Sequence, residues 1–361
     1  MSENASKRDS GIDLLRVFAM GLIVLHHLLL HGGLTSVFPV FSPSGMAVHL
    51  LNAFTRSAVN VYALISGYVM VRSRFRPSRL IGLWLQVVFY GVLAVVCLSL
   101  AGRSIHPAAL FAAFTPVSHD AYWYFTCYFV VFCLSPFLNL LLNSLSRRQT
   151  GLMLTVLTTV FSLLPTLMLT DRFQLNGGYH PVWLILLYLF GGAARLHGFQ
   201  RSGFWKAVLT AAGCILLSWG FRLGALAAGA GWLEELLLHY TSPTMLLCSL
   251  ALFSLFAGRK LPARLAKAVS FLSPLTFGVY LIHDNHLVRE QLIKMRLTGL
   301  AELNPAMMLC GLFVCWAGVY VLCLLIEWLR TRLFTLLRIP ALCNAMEKKL
   351  FSLEQCMFPE C

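Results

Sequence analysis

The chain has 361 residues, of which 58% are hydrophobic and only 12% charged. A soluble domain carries about twice that charged share, so a water-soluble globular fold is excluded and lipid must solvate much of the apolar surface. The formal net charge of +14 sits in short clusters between apolar runs; no basic stripe interleaved with aromatics appears, which excludes a nucleic-acid-binding module.

Residues 1–10 form a polar N-terminal segment with Lys7 and Arg8. The apolar stretch behind it resembles a signal peptide, but it holds Asp13 and Arg16 and lacks a small-residue exit, so it is read as a retained span. Ten candidate spans follow, near 11–31, 47–71, 80–100, 122–144, 150–170, 181–196, 204–224, 238–257, 269–287 and 306–329, each close to the length a bilayer core demands. The sixth is the shortest, and the seventh could continue through the Gly/Ala run 224–231. The expected fold is an all-α, polytopic transmembrane helix bundle of about ten helices over residues 11–338, with a tail at 339–361. Most cysteines lie inside apolar runs and read as small hydrophobes, and no Cys/His spacing suits a metal. Cys343, Cys356 and Cys361 fall in the tail, where cytoplasmic thiols stay reduced.

Basic residues give the orientation. Arg72, Arg74, Arg76 and Arg79 follow the second span; Arg147 and Arg148, then Arg195, Arg201 and Lys206, then Arg259, Lys260, Arg264 and Lys267 occupy the next alternate loops, and Arg330 to Lys349 the tail. The opposite loops are poor in Lys and Arg, which places both termini in the cytoplasm and requires an even number of spans.

Polar residues inside spans are costly and mark cavities or partners. In the first span, Arg16 and His27 are separated by eleven residues, about 20° in azimuth and about 16 Å in rise on a helix. Asp13 and His31 share that stripe, while His26 points about 100° away. The plain reading of Asp13 and Arg16 is a structural ion pair at the interface. In the second span Arg56 faces a polar interior with no assignable partner, and Ser66-Gly67 permits close helix packing. The Arg72–Arg79 cluster is denser than topology requires; Arg76 and Arg79 flank Pro77 and suit bidentate phosphate binding, although anionic lipid would serve equally. The fourth span opens with Tyr122, Trp123 and Tyr124, an aromatic belt or a sugar platform. In the ninth, Thr276, Tyr280 and His283 fall on one face, with His283 at a depth similar to His27.

The pattern GIDLLRVFAMGLIVLHH, the SGY…RFRPSR run, the YWYF…SPFLN helix and the LTFGVYLIHD helix, in that order, resemble the bacterial acyltransferase-3 family. Members of that family are inner-membrane enzymes with ten core helices that acylate, usually acetylate, surface polysaccharides and related glycans. Its Arg-then-His element matches Arg16 and His27, its RxxR element Arg76 and Arg79, and its Tyr-x-x-His element Tyr280 and His283. The resemblance implies a multi-pass protein of the bacterial cell membrane with no tightly bound cofactor and no metal. Acetyl-CoA would be held by its phosphates at Arg76, Arg79 and Arg72, and a glycan acceptor would meet His283, Tyr280, Trp123 and Arg56 from the other side. His27, with Arg16, would carry the chemistry as general base or as transient acyl carrier, and His283 would bind acceptor or steady the oxyanion. The rival class is a transporter or flippase for a lipid-linked sugar, which would more naturally show inverted repeats or paired broken helices; neither is found.

Overall fold

In the computed structural model the chain is helical throughout its described residues, 8–198 and 203–357, with side chains described through residue 350 and no strand among them. Lys7, Arg201, Cys361 and the side chain of Cys356 lie outside that description. The principal helices are α1 Ser10–His31, α2 Pro43–Arg56, α3 Ala58–Met70, α4 Pro77–Leu100, α5 Trp123–Ser144, α6 Arg147–Leu167, α7 Pro181–His197, α8 Phe204–Ala227, α9 Pro243–Phe256, α10 Ala263–His283, α11 Pro305–Leu336 and α12 Ile339–Met357. Seven of them, α1, α4, α5, α6, α8, α10 and α11, are long and apolar enough to cross a membrane. The chain is therefore a membrane protein.

Two of the ten expected spans, the second and the eighth, take another form, while the sixth lies where it is expected, as α7. The second is two helices, α2 and α3, which meet at Ser57. There the Ser57 carbonyl is shared between Val61 N–H and the Ser249 hydroxyl of α9, so the helix changes direction without orphaning a backbone group. The sixth and eighth, α7 and α9, have 17 and 14 residues. Both open on a proline behind a side-chain cap, His180 and Ser242, which fixes their starts. The Gly/Ala run prolongs α8 only as far as Ala227, with Gly229 at φ 71° just beyond. The segment expected as a tail is helix α12, packed against α4.

Helix α1 is the axis of the bundle. Leu15, Val24 and Leu29 are fully enclosed, and α2, α3, α9, α10 and α11 all pack on it. Its start is fixed by Asp9, whose carboxylate accepts from Gly11 and Ile12 N–H and also from Tyr68 of α3 and Gly258 N–H. The outer faces are apolar, with Phe137, Leu140, Val314 and Leu322 exposed, as a lipid-facing surface requires. Helices α3 and α7 approach closely enough that a Cβ on Gly67 would overlap the Tyr188 carbonyl, and one on Gly191 the Leu64 carbonyl. Ser66-Gly67 thus supplies the expected close contact, and a second glycine answers it from the opposite helix.

Candidate active site

The polar stripe of α1 joins two cavities at opposite ends of the bundle. Near its start, Arg16 lines a cavity of about 950 Å³ together with Arg76, Arg79, Gln86 and Arg330, part of it walled by Cys343 and Asn344 of α12. Arg16 also donates to the Ser273 hydroxyl (3.2 Å). Its expected ionic partner is engaged elsewhere: Asp13 pairs with Arg8 (2.6 Å), leaving Arg16 directed at the cavity. Of the arginine cluster, Arg76 and Arg79 share this space. Arg72 does not; it lines a neighbouring cavity of about 350 Å³ with Arg8 and Arg195, which shares Arg16 and Val69 with the first. Arg76 donates to Asn344 (3.1 Å) and lies 3.4 Å from the Glu347 carboxylate, so α12 holds it at the cavity rim.

Arg330 is positioned by a residue that sequence reading passed over. Glu327 on α11 is fully buried, and its carboxylate accepts from Tyr90 (2.6 Å), Gln86 (3.2 Å) and both Nε and Nη2 of Arg330 (2.9 and 2.5 Å). A buried carboxylate satisfied on every side is rigid, and the fork geometry fixes the guanidinium plane. The signal available in sequence was an acidic residue inside an otherwise apolar span.

At the far end of α1 the stripe meets α10. His27 Nδ1 lies 2.9 Å from His283 Nε2, and His283 Nδ1 lies 2.6 Å from the Val279 carbonyl. A carbonyl can only accept, so the neutral His283 ring carries its proton on Nδ1 and accepts at Nε2. His27 must then donate from Nδ1, which leaves a bare lone pair on His27 Nε2. Asp284 Oδ1 lies 3.6 Å from the same His27 Nδ1 and is itself paired with Arg289 (3.1 Å). The set has the logic of a base whose tautomer is fixed by a second residue and whose cation is steadied by a carboxylate. Asp284, adjacent to His283, was not singled out in the sequence. Both nitrogens of His283 are thus engaged within the relay, one by His27 and one by the Val279 carbonyl. His26 faces elsewhere, its Nδ1 3.3 Å from the Thr55 hydroxyl.

His27, His31 and Asp284 also place ligand-type atoms within 4.8 Å of one another. Asp284 already holds the Arg289 cation and His27 Nδ1 the His283 ring, so these contacts favour the hydrogen-bonded relay over a metal centre.

Aromatic residues surround the relay. Tyr280 joins His27, Tyr62, Trp123 and Tyr124 around a small cavity. Trp123 also lines a larger one, about 490 Å³, with Tyr122, Asp284, Asn285 and Arg289. The Tyr122 hydroxyl donates to the Leu281 carbonyl and accepts from Asn285, which clamps the turn after α10. Trp123 packs on Tyr179 (4.4 Å between centroids) and stacks on Tyr240. Tyr179 in turn lines a third cavity, about 570 Å³, with Arg56, Trp232, Glu235 and His239. The partner of Arg56 is Glu235 (2.6 Å), which also bridges to Arg222 (3.0 Å); Arg222 pairs further with Glu234 (2.8 Å), so the two arginines and two glutamates cancel. Burial pushes the His239 imidazole below its usual range, which keeps it neutral near pH 7.

The structure thus brings Arg16, Arg76 and Arg79 together at one end, and His27, His283, Tyr280 and Trp123 at the other. Arg56 stands apart from the relay, beyond the Trp123–Tyr179–Tyr240 wall. Searches of curated proteins and of solved structures found no match. A family model described as an acyltransferase domain matches residues 9–328, which takes in the relay, helix α1 and the Arg16, Arg76 and Arg79 side of the larger cavity, while Arg330 and the α12 wall lie beyond it. By that match the chain belongs to the acyltransferase-3 family of membrane acyltransferases.

Proposed function

We propose that the protein transfers a short acyl group, acetyl foremost, from acyl-CoA to a hydroxyl of a cell-surface polysaccharide or related glycan. The observation that carries this reading is the convergence of Arg16, Arg76, Arg79 and Arg330 on one cavity. Coenzyme A presents a diphosphate and a ribose phosphate, and guanidinium forks match both in charge and geometry. The basic residues in the loops at this end support a cytoplasmic orientation for it, the side on which acyl-CoA is made. The acceptor reaches His27 from the opposite end, through the space beside Trp123 and Asp284. Its hydroxyl gives its proton to His27 Nε2 as the oxygen attacks the thioester carbonyl. The C–S bond then breaks, and the proton passes from His27 to the departing thiolate. Asp284 steadies the imidazolium in between.

The test is reconstitution of the purified protein in lipid nanodiscs with radiolabelled acetyl-CoA and a panel of neutral oligosaccharides. Labelled sugar heavier by one acetyl group, by mass spectrometry, is the expected product. Movement of a lipid-linked sugar across a vesicle bilayer without any acyl mark would overturn the proposal in favour of a flippase.

A further inference from the structure

The small cavity against His27 has about 20 Å³ of free space, room for a single group the size of a water or a methyl. Its walls are of two kinds. Met20, Ile23 and Val59 supply apolar surface, and Tyr124 and Tyr280 bring phenol hydroxyls. Both hydroxyls are buried and have no hydrogen-bond partner among the described residues. The neighbouring Tyr62 hydroxyl, by contrast, is satisfied by Thr276 (2.7 Å). Buried hydroxyls without partners are costly, and two beside one base call for a ligand that accepts from them.

We propose that this cavity is the acyl pocket, holding only the methyl of a two-carbon acyl group among Met20, Ile23 and Val59, with the carbonyl at its mouth and the carbonyl oxygen facing the Tyr124 and Tyr280 hydroxyls. The proposal rests on the transfer reading above and assigns the group that reading leaves without a holder. As the acceptor oxygen bonds to the carbonyl carbon, the C=O pair moves onto oxygen, and both hydroxyls donate to the resulting oxyanion. When the C=O bond re-forms, the C–S bond breaks, and the proton from the acceptor, held on His27, leaves with the thiol. His283 is excluded as the donor because both of its nitrogens are engaged. The pocket also measures its substrate: a methyl fits the space, whereas a longer chain meets Met20 and Val59.

Acetyl-CoA and butyryl-CoA are the probes, in the nanodisc assay with an oligosaccharide that the wild type acylates. Wild type should favour acetyl by at least about tenfold per added methylene in kcat/KM. Tyr280→Phe and Tyr124→Phe should each lower kcat about 10²-fold, with the donor KM within about twofold. Neither should lower the thermal midpoint, since each removes an unpartnered group. Val59→Ala should raise the butyryl-to-acetyl ratio about tenfold. Transfer of both acyl groups at equal rates, or unchanged kcat in both Phe variants, overturns the pocket and leaves the transfer reading standing. A wild-type protein that transfers neither group to any sugar overturns both.

Discussion

Replacing His27 with alanine removes the one imidazole nitrogen whose lone pair the hydrogen-bond chain leaves bare. A positioned general base typically contributes 10²- to 10⁴-fold to rate, so kcat should fall by about that range. His26→Ala is the internal control. That ring is 3% exposed and held by Thr55, so its loss should lower stability by about 1–3 kcal/mol while leaving kcat largely intact. His283→Ala completes the set. It removes the acceptor for His27 Nδ1–H and frees the ring to adopt the wrong tautomer, with an expected loss of about 10²-fold in kcat and little change in KM. The assay reads labelled acyl transfer, thermal midpoint and membrane abundance for all three variants together. Full activity in His27→Ala would refute the mechanism, and equal losses for His26 and His27 would show that helical azimuth does not choose between them.

Arg76→Ala with Arg79→Ala should weaken acetyl-CoA binding tenfold or more by isothermal titration, since charged hydrogen bonds are each worth about 1.5–3 kcal/mol. Glu347→Ala should do the reverse, tightening binding up to about fivefold, because it releases Arg76 from a half-exposed ion pair worth at most about 1 kcal/mol. Glu327→Ala leaves the Arg330 guanidinium, only 11% exposed, without its carboxylate, at a cost of about 3–5 kcal/mol read as a lower midpoint in thermal denaturation. Single cysteines placed at positions 74 and 110 in a background without native cysteines test the orientation: an impermeant reagent on intact cells should label 110 and spare 74.

The first helix and its polar stripe were legible in sequence because both depend only on local periodicity. An eleven-residue separation puts Arg16 and His27 on one face whatever surrounds them. The depth of His283 followed the same way, from the direction of its helix. What could not be read was pairing across the chain. The partner of Arg56 lies 179 residues away, and that of Arg330 is legible only once Glu327 is seen to be buried with Tyr90 and Gln86. Arg72 and Arg76 look equivalent in the loop; the turn into α4 sends them to different cavities, a matter of three-dimensional direction rather than composition. The break at Ser57 is not legible because residues 47–71 together have the length of one span, and the α9 hydroxyl that shares the Ser57 carbonyl belongs to a distant helix. The unpartnered tyrosine hydroxyls were invisible for the same reason: a free donor is defined by what fails to surround it.

The paired glycines of α3 and α7 divide the molecule mechanically. With backbone lying directly on backbone at Gly67 and Gly191, and with Trp183 bonded to Asn60 and Arg195 to Tyr68 across the same seam, those two helices behave as one stiff wall. On the other flank α4, α11 and α12 are joined by side chains such as Arg76, Asn344 and Glu347 that can exchange partners, and on the proposed function the acyl-CoA donor would enter there. Opening and closing during turnover therefore belongs to that flank: spin labels bridging α4 and α12 should change separation when donor binds, while a pair bridging α3 and α7 keeps its distance.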